Sequence, residues 1–244
     1  MDKRPDNETK DGKDAIARLF HVYKKIGANV VLEDITLDIK RNQFVFVSGP
    51  SGAGKTTLLS LLYLKEKATQ GNIIMDGQNL SRIRHKQIPA FRRKLGIIFQ
   101  DYKLIATKTA FENVSLVLEA AGAKKKMIHK KVNSILRSVG MEDKSQAYPL
   151  SLSGGEQQRI AFARAVVGDP EIIIADEPFG SLDQESADSI LKLLNVYHAR
   201  GATIILATHD KGLIKKRGGP VVFLNRGRIQ RPVNHARGHR EGDV

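Results

Sequence analysis

Two periodicities alternate along this 244-residue chain and divide it into elements. AIARLFHVYK (15–24) and VVLEDITLDIK (30–40) carry apolar residues at near-alternate positions and read as strands with one buried face. QFVFVSG (43–49) is a short apolar run closed by glycine, and GNIIMDG (71–77) is another strand between turn glycines. GKTTLLSLLYLKE (54–66) has helical spacing, and so does a stretch around 86–94 that leads into the apolar run LGIIFQ (95–100). From about 107 to 168 the pattern is almost wholly helical, in TAFENVSLVLEAAG, KKKMIHKKVNSILRSVG and GGEQQRIAFARAVVG. Strand-like runs then resume with EIIIAD (171–176), followed by a helix near 184–199, TIILAT (203–208), a short helix from 210 and a terminal hairpin VVFLNRGRIQ (221–230). Buried strands alternating with helices predict an α/β fold with a mostly parallel sheet covered on both faces. The helical block predicts a subdomain, about residues 101–168, inserted between core strands of one domain spanning 15–230. The polar segments 1–14 and 231–244 are expected to be disordered tails.

Composition narrows the setting. Hydrophobic residues make up 41% and charged residues 27%, an ordinary globular balance, so the length suffices for a substantial core. There is no cysteine, which removes disulfides and thiolate metal sites and favours a reducing compartment. No apolar run approaches the roughly 20 residues needed to cross a bilayer, and the polar start MDKRPDNETKDGKD cannot act as a secretory signal. Forty basic residues against 26 acidic ones give a net charge of +14, spread over clusters at 82–94, 124–131 and 215–217. An anionic membrane surface fits this charge. Nucleic acid fits the charge equally well, but no aromatic residues interleave the clusters as a base-stacking platform requires, and on the whole reading no nucleic-acid partner is expected.

Four segments carry chemistry. GPSGAGKTT (Gly49, Pro50, Ser51, Gly52, Ala53, Gly54, Lys55, Thr56 and Thr57) follows an apolar strand and opens a helix, the context in which G-x-x-x-x-G-K-[ST] cradles a triphosphate. The glycines let successive backbone N–H groups turn inward, Lys55 supplies charge at the β- and γ-phosphates, and the Thr56 hydroxyl is a Mg²⁺ ligand. EIIIADEP ends a buried run in two carboxylates, Asp176 for the metal and Glu177 to orient and deprotonate the attacking water. Gln100 closes IIFQ, where its amide can reach both metal and water, and His209 follows the run 203–207 as a donor to the γ-phosphate. SLSGGEQQRIAFARA (151–165) opens a helix with Ser153, Gly154, Gly155 and Glu156, a second anion-binding terminus with free N–H groups. Because that terminus belongs to the helical insert, it is expected to cap the γ-phosphate held by a second copy of the chain, so that two ATP molecules are buried in a head-to-tail pair.

Taken together, LSGGEQQR (152–159), the loop at 49–57, Gln100, ADEP (175–178), GSLD (180–183) and His209 resemble the ATP-binding-cassette (ABC) ATPase family over about residues 15–230. The resemblance implies a P-loop NTPase fold: a RecA-like core with a small antiparallel β subdomain and an inserted α-helical subdomain. It implies hydrolysis of ATP to ADP and phosphate with Mg²⁺, and an ATP-dependent homodimer. Asp183 then lies in the loop that communicates between the two nucleotide sites. The family's adenine-stacking aromatic falls near Ile26, with Tyr23 three residues earlier, which makes these two the candidate adenine contacts. Within the family, SGAGKTTLL, RRKLGIIFQDYKLI, ENV, LSGGEQQRIAFARAVV and ATHD are most similar to the FtsE group of cell-division ATPases. Those ATPases work with the membrane protein FtsX to activate cell-wall hydrolases. Lipoprotein-releasing and macrolide-export ATPases are close relatives and give the alternative reading of an exporter subunit. Phe179 and Ser181 stand where these relatives usually carry Thr and Asn. A cassette with no span of its own implies a separate transmembrane, FtsX-like partner and a peripheral location on the cytoplasmic face of the membrane. Soluble family members that act on DNA or ribosomes usually carry a coiled-coil insertion or a second cassette, and neither is visible here. A non-hydrolysing scaffold would not need Lys55, Asp176, Glu177 and His209 together.

Overall fold

The computed structural model describes residues 14–180 and 182–230; the expected tails at 1–13 and 231–244 lie outside the described residues, as does Ser181. A six-stranded sheet runs β10-β9-β3-β8-β7-β6, built from β3 (Phe44–Ser48), β6 (Leu95–Ile98), β7 (Ile172–Asp176), β8 (Thr203–Ala207), β9 (Val221–Asn225) and β10 (Arg228–Gln230). All its pairings are parallel except the terminal β9–β10 hairpin. A four-stranded antiparallel sheet of β2 (Asn29–Lys40), β1 (Ala15–Ile26), β4 (Gln70–Met75) and β5 (Gln78–Asn79) forms the smaller β part. This is the expected architecture, with the two-residue β5 as an addition.

The parallel strands divide their side chains between two cores with period two. Val45 and Val47 of β3, with Ile172 and Ile174 of β7, join the antiparallel sheet and α1 (Lys55–Leu62) in one core. Phe44 and Phe46, with Ile173 and Ala175, face the other, which is covered by α3 (Ala110–Ala120), α4 (Lys125–Ser138), α5 (Gly154–Val166) and α6 (Gln184–Ala199). Strands buried on both faces must be apolar throughout, which is why β3, β7 and β8 read as unbroken runs. Two short helices complete the chain, α2 (Ile88–Arg92) and α7 (Lys211–Arg217).

Local chemistry sets the helix ends. Thr109 caps α3 in a capping box with Glu112, and Ser153 caps α5 in the same way with Glu156. In α4, Ile128, Val132 and Leu136 recur every four residues and are buried, while the lysines between them lie outside. The helix read across 54–66 stops sooner: α1 ends at Leu62, because Leu64 turns into the left-handed region at φ 59° and the Lys65 N–H reaches back to the Ser60 carbonyl. The helical stretch near 86–94 is a 3₁₀ turn over His85–Gln87 followed by α2.

Candidate active site

The loop between β3 and α1 is shaped by glycines in conformations that side chains disfavour. Gly49, Gly52 and Gly54 have φ of 151°, 75° and 101°. A Cβ on Gly49 would stand 2.0 Å from the Leu224 carbonyl oxygen of β9, and one on Gly54 would stand 2.8 Å from Leu32 Cδ2. The terminal hairpin closes against the same loop: the Gly227 N–H donates to the Ala53 carbonyl at 3.1 Å, and its own carbonyl accepts from the Glu33 N–H at 2.8 Å. α1 starts at Lys55 with no side-chain cap and no acid in its first turn, so no side chain caps its first N–H groups.

This loop forms the floor of a cleft of about 1150 Å³. Residues 50–57, Gln100, Asp176, Glu177 and His209 all line it, so segments from four parts of the sequence meet there. Lys55 is nearly buried; its Nζ donates to the carbonyls of Gly49 (2.9 Å) and Pro50 (3.2 Å) and lies 3.6 Å from Glu177 Oε1. On the other side of that oxygen, His209 Nδ1 lies at 2.9 Å. Because a carboxylate only accepts, the ring carries its proton on Nδ1. Glu177 is held at φ 44°, a left-handed conformation that costs a non-glycine residue roughly 1–2 kcal/mol. Its N–H is fixed by the Ala207 carbonyl at 3.0 Å. Such strain persists only where the surroundings dictate it, and it is commonest at functional sites.

Asp176, at the carboxyl end of β7, meets the requirements of a hard cation. The Thr56 hydroxyl donates to its carboxylate, yet Oδ1 is buried with no hydrogen-bond partner. Burial pushes its pKa above the ordinary 3.8, and the nearby Glu177 charge adds to the rise, while Thr56 and Lys55 oppose it. An orphaned carboxylate oxygen beside a hydroxyl, in a cleft that the Gln100 amide also lines, offers oxygen donors suited to Mg²⁺. The described residues contain no His/Cys/Asp/Glu cluster of three or more that could hold a metal by itself, so a cation here would lean on bound phosphate and water.

Sequence reading missed several lining residues: Val31, Tyr63, Lys65, Phe99, Lys103 and Gly180. Tyr63 and Phe99 meet edge to face at 6.0 Å, and burial raises the Tyr63 pKa with help from the Asp176 charge. Neither Tyr23 nor Ile26 is among the lining residues; Ile26 is half exposed at the end of β1, and the β part meets the cleft through Val31.

The α5 terminus lies outside this cleft, and none of Ser153, Gly154, Gly155 or Glu156 lines it. The Ser153 hydroxyl accepts from the Glu156 N–H at 3.3 Å, and the Glu156 carboxylate accepts from the Ser153 N–H at 2.9 Å and is paired with Lys144. The Lys144 ammonium is the main reason why the Glu156 carboxyl titrates below its usual range. A Cβ on Gly154 would approach the Tyr102 hydroxyl at 3.1 Å, and one on Gly155 would approach Ser186 Oγ at 3.0 Å. Asp183 caps α6 by accepting from the Ser186 N–H (2.8 Å) and Oγ (3.0 Å). Farther along α5, the half-buried Arg164 guanidinium donates to the carbonyls of Tyr102 and Lys103, both at 2.6 Å, and so fixes two consecutive left-handed residues near Gln100.

Residues 32–180 match the ABC transporter family. The chain belongs to that family. As an ABC cassette it binds ATP and hydrolyses it to ADP and phosphate. The cell division ATP-binding protein FtsE of Bacillus subtilis is 41% identical over 211 residues, which cover 86% of this cassette and 92% of that protein. FtsE of Escherichia coli is 38% identical over 219 residues, with 89% and 99% covered. Among solved structures, the dimeric bacterial ABC transporter cassette MJ0796 is similar with a TM-score of 0.82 at 33% identity, covering 88% of this cassette and 97% of that one. The same MJ0796 cassette, as a dimer in a post-hydrolysis state bound to ADP and Pi, gives 0.81 at 32% identity over the same shares. No helix among the described residues is long and apolar enough to cross a membrane.

Proposed function

We propose that this ABC ATPase is an FtsE-like subunit that couples ATP-driven pairing of two copies to a separate, FtsX-like transmembrane partner in cell division. The observation that carries the pairing is the separation of the two anion-binding elements. Lys55, Glu177 and His209 line one cleft, while the Ser153–Glu156 terminus lies outside it and is not needed to complete its floor. In a head-to-tail pair, that terminus would meet the γ-phosphate held in the other copy. Charge-assisted hydrogen bonds of about 1.5–3 kcal/mol each would make the nucleotide part of the interface. Loss of the γ-phosphate would then release the pair.

Within each cleft, phosphate oxygens would replace the Gly49 and Pro50 carbonyls as partners of Lys55, and the backbone of 49–57 would close round them. Glu177 takes the proton of the attacking water. His209 steadies that carboxylate through Nδ1, and its Nε2 donates to phosphate only when the ring is charged. Thr56 and Asp176 would hold Mg²⁺ with Gln100 in the same cleft, and the ion would offset charge on the phosphates. Asp183, bonded to Ser186 beside Gly155, would relay the state of one site to the other. The 38–41% identity to FtsE proteins over most of the chain supports the division role and, with it, a position on the cytoplasmic face of the membrane.

Glu177→Gln tests this reading. The full-length variant is expected to keep ATP affinity within a few-fold, lose 10²–10⁴ in turnover, and accumulate as an ATP-bound dimer in light scattering. A monomer at saturating ATP would refute the pairing. Co-purification from membranes with a transmembrane chain tests the coupling, and recovery without one would refute it.

A further inference from the structure

Gln158 lies one turn into α5 at 1% exposure, outside the cleft. Its Nε2 donates to the Pro178 carbonyl at 2.8 Å, while Oε1 is buried with no hydrogen-bond partner. A methionine would fill the same space without burying an unmet acceptor, so the amide is present for the one bond it makes. That bond falls on the residue directly after Glu177. The left-handed Glu177 backbone has few other restraints: its N–H donates to Ala207 at 3.0 Å, and its carbonyl accepts a long 3.3 Å bond from the Gly180 N–H. On the same helical turns, Gly155 lies against Ser186, whose hydroxyl bonds Asp183. α5 is therefore bonded to Pro178, next to Glu177, and lies close to Ser186, the partner of Asp183.

We propose that Gln158 is a positioning residue for Glu177. Its amide fixes the Pro178 peptide, and through it the carboxylate between Lys55 and His209, according to where α5 stands. The inference rests on the reading above, in which the α5 terminus seats on the partner copy's γ-phosphate and Glu177 acts on the attacking water. Seating of α5 on one nucleotide thereby sets the geometry of the water-activating carboxylate at the other, through a contact inside a single chain.

The test uses full-length protein with ATP and Mg²⁺. Gln158→Met should keep ATP affinity and KM within about twofold of wild type while kcat falls about 10- to 100-fold, as displacing a reacting group by about 1 Å does. On a Glu177→Gln background the same substitution should cause no further loss of the residual turnover. Gln158→Glu, of equal size, can donate to Pro178 only when protonated, so its kcat relative to wild type should rise as pH falls. A Gln158→Met kcat within twofold of wild type would overturn the inference, and so would losses that multiply on the Glu177→Gln background or a flat pH ratio for Gln158→Glu. Full turnover by Glu177→Gln alone would instead overturn the underlying reading, and this inference with it. A dead Glu177→Gln beside a fully active Gln158→Met would sink this inference only.

Discussion

Lys55 and Asp176 meet the cleft in opposite conditions, the ammonium paired with backbone carbonyls and one carboxylate oxygen left without a hydrogen-bond partner. Lys55 satisfies its ammonium on two loop carbonyls, and its replacement removes the charge proposed to face the phosphates. Lys55→Ala should weaken ATP binding about 10- to 100-fold, the size of one charge-assisted contact, as read with a fluorescent nucleotide. Asp176 has a folded pKa raised above 3.8, so its unfavourable contribution is absent in acid and grows as pH rises through that value. Asp176→Asn should therefore melt at a higher temperature than wild type near neutral pH, with the gain fading as pH falls towards 3.8 and gone below it, while Mg²⁺-dependent hydrolysis is lost. At this scale the sequence was informative where a residue's role is local. The glycines, lysine and threonine of 49–57 announce their geometry within nine positions. Val31, Leu224, Gly227 and Gln158 do not, because each acts through a contact with a segment distant in the chain that no periodicity encodes.

Elements follow the same division between local and distant causes. Helices α3 to α6 were legible because caps and apolar spacing act within a few residues. The early end of α1 was not, because an apolar run (58–64) continues past the point where the backbone turns. β6 was visible as a buried strand, but the reason for its glycine lies elsewhere. A Cβ on Gly96 would stand 2.6 Å from the Ala165 carbonyl oxygen of α5 and 2.9 Å from Pro170 Cγ. Gly96→Ala should force α5 off the sheet and cost about 1–3 kcal/mol. That corresponds to a fall in Tm of about 2–4 °C per kcal/mol in calorimetry. Because α5 also carries Ser153, Gln158 and Arg164, the same variant should lose turnover beyond what its stability loss explains.

The whole molecule carries a net charge of +14, and its acidic groups are distributed to offset it. Lys94 and Arg41 hold Asp76 below its ordinary 3.8, Lys144 holds Glu156 below 4.5, and Lys216 holds Asp188 below 3.8. With folded values below unfolded ones, these carboxylates stabilise the fold above the ordinary range, and that stability is lost as pH falls through their lowered values. Chemical denaturation should therefore give a plateau above about pH 5 and a steep decline below about pH 4, made steeper by low salt as positive self-repulsion grows. The overall α/β plan was legible from alternation alone, since buried parallel strands are apolar runs. The closing of the phosphate loop against β9 and the β9–β10 turn was not. That closure has a consequence for biosynthesis. The glycines of 49–57 emerge from the ribosome early, but the backbone groups that brace them belong to Leu224 and Gly227. A nascent chain therefore lacks this brace until the last hairpin has been translated and docked, and a chain truncated before β9 is expected to bind ATP more weakly than the full-length protein.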